Sequence, residues 1–91
     1  MDKRIERDSD DMRAFSTYLQ YFSEEAMYYA SDLRCNCSIS EEHMQDESGQ
    51  DALNIITNLA ENILSEAYAA RALSERLLMS AKLIEESDEC I

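Results

Sequence analysis

Residues 51–84 read DALNIITNLAENILSEAYAARALSERLLMSAKLI, and this stretch decides the fold. Leu53, Ile56, Ala60, Ile63, Ala67, Ala70, Ser74, Leu77, Ala81 and Ile84 recur at alternating steps of three and four. That period keeps one face of an α-helix on a neighbour. No Gly or Pro interrupts residues 50–91, and Ala, Leu, Glu, Arg and Met, all good helix formers, fill much of the run. A helix is expected over residues 51–87. Its seam is small in the middle, at Ala60, Ala67, Ala70 and Ser74, where a partner helix can approach closely.

Upstream, Met12, Phe15, Leu19, Phe22, Ala26, Tyr29 and Leu33 keep the same rhythm and predict a first helix over residues 9–34. Asp8, Ser9, Asp10 and Asp11 precede it, with side chains able to cap free N–H groups and a charge that suits the helix dipole. Residues 35–50 form a polar, acidic connection that holds the only Gly of the chain, Gly49. Ser38-Ile-Ser-Glu41 has the form of a capping box and leaves room for a short third helix there, and Ser48–Asp51 offers a start for the second long helix. The expected fold is therefore all-α, a long antiparallel helical hairpin in a single domain spanning residues 1–91.

Ile55, Leu59, Leu64, Leu73 and Leu78 widen the apolar face of the second helix beyond a two-helix seam. On the expected bounds that helix also outreaches the first by about ten residues, leaving apolar surface uncovered. The sequence thus predicts a homodimer in which two hairpins pack as a four-helix bundle.

Charge narrows the partners. Twenty acidic residues against 8 basic ones give a net charge of −12. Direct binding to nucleic acid needs Lys and Arg to displace counterions, and anionic membranes repel the same surplus of carboxylates, so neither is expected. A basic protein is favoured, and a nucleic-acid-binding one in particular. The competing explanation is that acidity serves solubility alone. No stretch approaches the roughly 20 apolar residues of a membrane span. The start, Met1-Asp2-Lys3-Arg4-Ile5-Glu6-Arg7-Asp8, lacks the apolar core of a secretory signal, which makes the cytoplasm the expected location. Three cysteines, an odd number, speak against a closed disulfide framework.

Few residues invite chemistry. Cys35-Asn-Cys37 is one residue shorter than the spacing of a zinc pair, and only His43 and the remote Cys90 stand by to complete a site. Ser40, not Glu, stands three before His43, and the seams carry no carboxylates, so a di-iron bundle is not expected either. No nucleophile has a plausible base. The reading is of a non-enzyme without cofactor or metal.

Two features point to binding. Asp11, Tyr18, Tyr21, Glu25, Tyr28 and Asp32 form a second line on the first helix, where tyrosine rings and carboxylates together suit an Arg-containing groove. Alternatively these tyrosines roof the edge of the core or face the second hairpin of a dimer. From Cys35 to Ala70 there is no Lys or Arg, and Glu41, Glu42, Asp46, Glu47 and Asp51 are candidates to steer a basic partner. Together they suggest an inhibitor or regulator that occupies a nucleic-acid-binding surface, in the manner of DNA mimics and anti-defence proteins. The alternative is a structural or adaptor module that only oligomerises.

Overall fold

The computed structural model describes the backbone of residues 3–89 and the side chains of residues 7–87. Helix α1 spans Lys3–Ser40 and helix α2 spans Glu47–Glu89, and among the described residues there is no strand. The chain is all-helical, in two long helices with a short link, as a helical hairpin requires. The expected connection of residues 35–50 shrinks to residues 41–46, and no third helix forms in it. Asp8–Asp11, expected as caps, lie inside α1, since nothing upstream of them breaks a helix. Cys90, expected beyond reach of the other two cysteines, lies outside the described residues.

The residues divide into two compact units. The turn unit is Ser23–Tyr68; the terminal unit joins α1 up to Phe22 with α2 from Ala69.

In the turn unit, α1 closes on His43 and Met44, whose N–H groups both donate to the Ser40 carbonyl at 3.0 and 3.1 Å. The start of α2 is fixed by Asp46, upstream of the expected Ser48. Asp46 Oδ1 accepts the Gly49 N–H at 2.9 Å and its carbonyl accepts the Gln50 N–H at 2.9 Å. That is an N-cap, which satisfies one of the otherwise orphaned donors of the first turn. Gly49 is buried beneath this cap. A Cβ there would stand 2.5 Å from Asp46 Oδ1 and 2.8 Å from the Met44 carbonyl oxygen. Space, not backbone freedom, calls for Gly. Ser23, Ala26, Ala30, Leu53, Ala60 and Ala67 are the buried side chains of the unit's helix pair, with Cys37 half-buried beyond them.

In the terminal unit, Ser9, Ser16, Ala70, Ser74 and Ala81 are buried. Ser16 Oγ donates to the Ser74 carbonyl at 2.8 Å, Ser74 Oγ donates to the Ser16 carbonyl at 2.8 Å, and the two hydroxyl oxygens lie 3.0 Å apart. Such reciprocal side chain-to-backbone bonds require the two helix backbones to run close together. Arg13 and Glu85 clasp the pair with a fork of bonds at 2.9 and 2.7 Å. The order of these contacts, Arg13 before Ser16 and Ser74 before Glu85, makes the two segments antiparallel.

One pattern unites the buried residues. Ser9, Ser16, Ser23, Ala30 and Cys37 are spaced by seven on α1, and Leu53, Ala60, Ala67, Ser74 and Ala81 by seven on α2. With these as position a of a heptad, Met12, Leu19, Ala26 and Leu33 take d on α1, and Ile56, Ile63, Ala70, Leu77 and Ile84 take d on α2. The seam expected for α2 is therefore the seam observed. For α1, Phe15, Phe22 and Tyr29 were expected at the seam, yet they are 65, 52 and 59% exposed at position g. The centre of a closely packed pair admits only the smallest side chains, and an aromatic ring there would hold the backbones apart. At Ser16 the hydroxyl is accommodated because it finds a partner in the opposing helix.

Candidate interaction surface

The line of tyrosines and carboxylates on α1 is built by helical geometry. Asp11, Tyr18, Glu25 and Asp32 fall at position c, about 200° round the helix from the buried position a. Tyr21 and Tyr28 fall at the neighbouring position f. All six are exposed, the tyrosines at 79% for Tyr18, 66% for Tyr21 and 71% for Tyr28. They do not roof the edge of the core; the rings stand in solvent on the side of α1 turned from α2. Tyr28 alone has an aromatic neighbour, with its ring edge-on to Tyr29 at a centroid separation of 6.3 Å and an interplanar angle of 75°.

The turn unit brings Glu25, Tyr28 and Asp32 into one body with Glu41, Glu42, Asp46, Glu47 and Asp51, all exposed. Asp46 has a structural task as well, since one of its oxygens caps α2. Glu47 lies in the first turn of α2, where the helix dipole favours a negative charge. Half of the 20 acidic residues, but only Arg34 of the 8 basic ones, lie in residues 23–68. Asp11, Tyr18 and Tyr21 belong to the terminal unit, which carries the other basic residues.

Electrostatic coupling is clearest away from these groups. Glu85 is held below the ordinary glutamate range, first by the hydrogen bond from Arg13 and its charge, with smaller help from the Ser9 hydroxyl and Lys82; desolvation opposes the shift. The Arg13 guanidinium is raised in return, first by that same bond. Such a pair fixes the level of two helices.

The one open depression described in the turn unit measures about 240 Å³ and is lined by Arg34, Cys37, Ser38, Glu41, Gln50, Leu53, Asn54 and Thr57. It is smaller than the roughly 300–1,000 Å³ of ordinary ligand pockets. Its thiol and its carboxylate come without a histidine or a second acid, so it assembles no acid–base pair. Cys35 and Cys37 are both free. Two residues apart on a helix, they point about 200° from each other and cannot chelate one ion. Among the described residues no three of His, Cys, Asp and Glu gather as a metal site, and no helix is long and apolar enough to cross a membrane.

The residues that sequence reasoning missed are the serines of the α1 seam, Ser9, Ser16 and Ser23. A strict step of seven through Ser9, Ser16 and Ser23 was available as a signal, but serine counts as polar in any hydrophobic pattern. The chain matches no protein-family model, no curated protein and no solved structure.

Proposed function

We propose that this chain is a non-enzymatic, cytoplasmic binding protein whose acidic surface occupies a basic, nucleic-acid-binding surface of a partner protein and so inhibits or regulates it. The observation that carries this reading is the solvent exposure of Tyr18, Tyr21 and Tyr28 in register with Asp11, Glu25 and Asp32. Exposed tyrosines are costly to leave in water and effective in an interface, where Arg stacks on the rings and pairs with the acids. The acids around residues 41–51 add long-range attraction. A DNA mimic of the anti-defence type is the concrete form.

The test is competition. Basic proteins retained by the immobilised chain from host lysate should be released by duplex DNA and by raised salt. Their retention should fall at least tenfold when Glu41, Glu42, Glu47 and Asp51 are reversed to Lys. Retention indifferent to DNA and to salt rejects the reading.

A second reading, a structural or adaptor module that works by oligomerising, is favoured by a different observation: Phe15, Phe22, Leu59 and Leu73 are exposed beside the seam. Partner binding that survives the four charge reversals selects it.

A further inference from the structure

Within the turn unit, one exposed ring stands in a setting that no other tyrosine shares. The surface neighbours of a helical residue are those three and four positions away, about 5–6 Å off between Cβ atoms. For Tyr28 these are Glu24, Glu25, Ser31 and Asp32, three carboxylates in four places. Tyr21 and Tyr29 have two carboxylates each at that spacing, and Tyr18 and Tyr68 have none. Glu24, Glu25 and Asp32 are themselves exposed. No Lys or Arg stands at that spacing from any of them, and among the described residues none of the three enters an ion pair. Arg34, the only Lys or Arg of the unit, lines the depression instead.

The ring is also well placed. Tyr28 lies at f, and Glu25 and Asp32 lie on the adjoining c row, one about a turn before it and the other about a turn after. Tyr29 packs against it with ring planes at 75° and centroids 6.3 Å apart. An edge contact of that kind leaves at least one face of the Tyr28 ring uncovered, and the residue is 71% exposed. An open aromatic face with negative charge on either side attracts a cation twice, through the ring quadrupole and through the carboxylates.

The shape of the site chooses between the two cations that proteins offer. A guanidinium is planar and the more weakly hydrated. It can lie flat on a ring while its in-plane N–H groups reach outward to carboxylates. A lysine ammonium is compact and strongly hydrated, donates in no fixed plane, and gains mainly from charge.

We propose that Tyr28, Glu25 and Asp32 form an arginine-selective docking point, at which one arginine side chain of a basic partner protein lies on the Tyr28 ring and donates to the flanking carboxylates. Charge selects this occupant. Residues 23–68 carry ten Asp and Glu against Arg34 alone, so the turn unit of a second copy is repelled and a cationic partner is drawn in. The proposal rests on the reading of this chain as a binder of basic proteins, and adds which side chain of the partner is recognised and where.

The experiment is calorimetric titration at about 0.15 M NaCl with two short blocked peptides of equal length and charge, one alternating Gly with Arg and the other Gly with Lys. The Arg peptide should bind roughly two- to fivefold more tightly, the factor that a cation–π contact at an exposed site supplies. Tyr28→Ala should abolish that preference with little effect on the Lys peptide, whereas Tyr28→Phe, which keeps the ring, should retain it. Tyr18→Ala should retain it too, since no carboxylate occupies the neighbouring positions of that ring. Glu25→Gln combined with Asp32→Asn should weaken both peptides, and the Arg peptide more. Every substituted side chain is exposed, and circular dichroism checks that the helices persist. Equal affinities, or a preference that survives Tyr28→Ala, overturn the docking point while leaving the acidic surface as the attractor of basic proteins. Binding of neither peptide overturns it as well; the wider reading is decided separately, by whether DNA and salt release the basic proteins retained from lysate. A solution mass that drops on Tyr28→Ala would put a second copy's arginine in the place and overturn the proposed occupant.

Discussion

Ser16 and Ser74 show what a buried polar residue does at a closely packed seam. Each hydroxyl donates to the other helix's carbonyl, so no donor is left unpaired, and each side chain is short enough to let the backbones meet. A net hydrogen bond of this kind contributes about 0.5–1.5 kcal/mol, whereas a buried group stripped of its partner costs about 1–3 kcal/mol. The two penalties do not add when both hydroxyls go. Ser16→Ala alone should therefore destabilise by about 1 kcal/mol, and Ser74→Ala by a similar amount. The double replacement should cost clearly less than their sum, because two methyl groups fill the same narrow space. Urea titration of the four chains, completing a double-mutant cycle, measures the coupling. Strict additivity would mean that the reciprocal pair contributes nothing as a pair. A leucine at either place belongs to a different class: overpacking there forces the helices apart, with a cost of about 1–3 kcal/mol or more.

At the scale of the element, α2 was legible in the sequence and α1 was legible only in outline. Small and branched residues at Leu53, Ile56, Ala60, Ile63, Ala67 and Ala70 give one period that fits one seating, and that seating is observed. On α1 two stripes compete, with Phe15, Phe22 and Tyr29 on one and Ser9, Ser16 and Ser23 on the other. Hydrophobicity selects the aromatic stripe, while the close approach demanded by the alanines of α2 selects the serines. Only knowledge of the facing helix decides between them. The same long-range effect extends α1 to Ser40, where Cys37 still packs near Leu53 at the rim of the turn-unit depression despite polar neighbours. The tyrosine line was legible as a second line beside the expected seam; that its rings stand in solvent follows only once the serines, and not Phe15, Phe22 and Tyr29, take the seam. A helix pair so short of large buried side chains relies on fixed register, and in the terminal unit Arg13 and Glu85 supply it. The Glu85 carboxyl titrates lower in the folded chain than in the unfolded one, where about 4.5 is usual. Its contribution is therefore present above the unfolded value and is lost as pH falls through the folded one. Glu85→Gln should be less stable than the unaltered chain at neutral pH, with the difference shrinking as pH drops below the ordinary glutamate range. Denaturant midpoints of the two chains across that range test the sign; a gap that widened in acid would exclude the pair as its cause.

For the whole molecule, a net charge of −12 on 91 residues acts against the folded state itself. Self-repulsion favours expansion of the chain and separation of two copies, and salt screens both. Raising NaCl from about 0.02 M to about 0.5 M shortens the Debye length from roughly 20 Å to roughly 4 Å. The Arg13–Glu85 pair loses a little in the same step, but one exposed ion pair is outweighed by a surplus of twelve charges. The melting temperature should therefore rise with salt, by ~5 °C if about 1 kcal/mol of repulsion is removed, the conversion for a chain of this size. The control is the variant with Glu41, Glu42, Glu47 and Asp51 reversed to Lys. Four reversals of two charges each take the net charge from −12 to −4, so its salt response should be much the smaller. Thermal melts followed by circular dichroism at one protein concentration compare the two. The same four positions are the ones proposed to attract a basic partner, so a single variant reads both effects: the chain should become less salt-dependent in stability and poorer in binding. A variant that lost its salt response yet still held a basic partner would separate the two roles of the acidic surface, leaving the charge to solubility and the outward tyrosines of α1 to recognition.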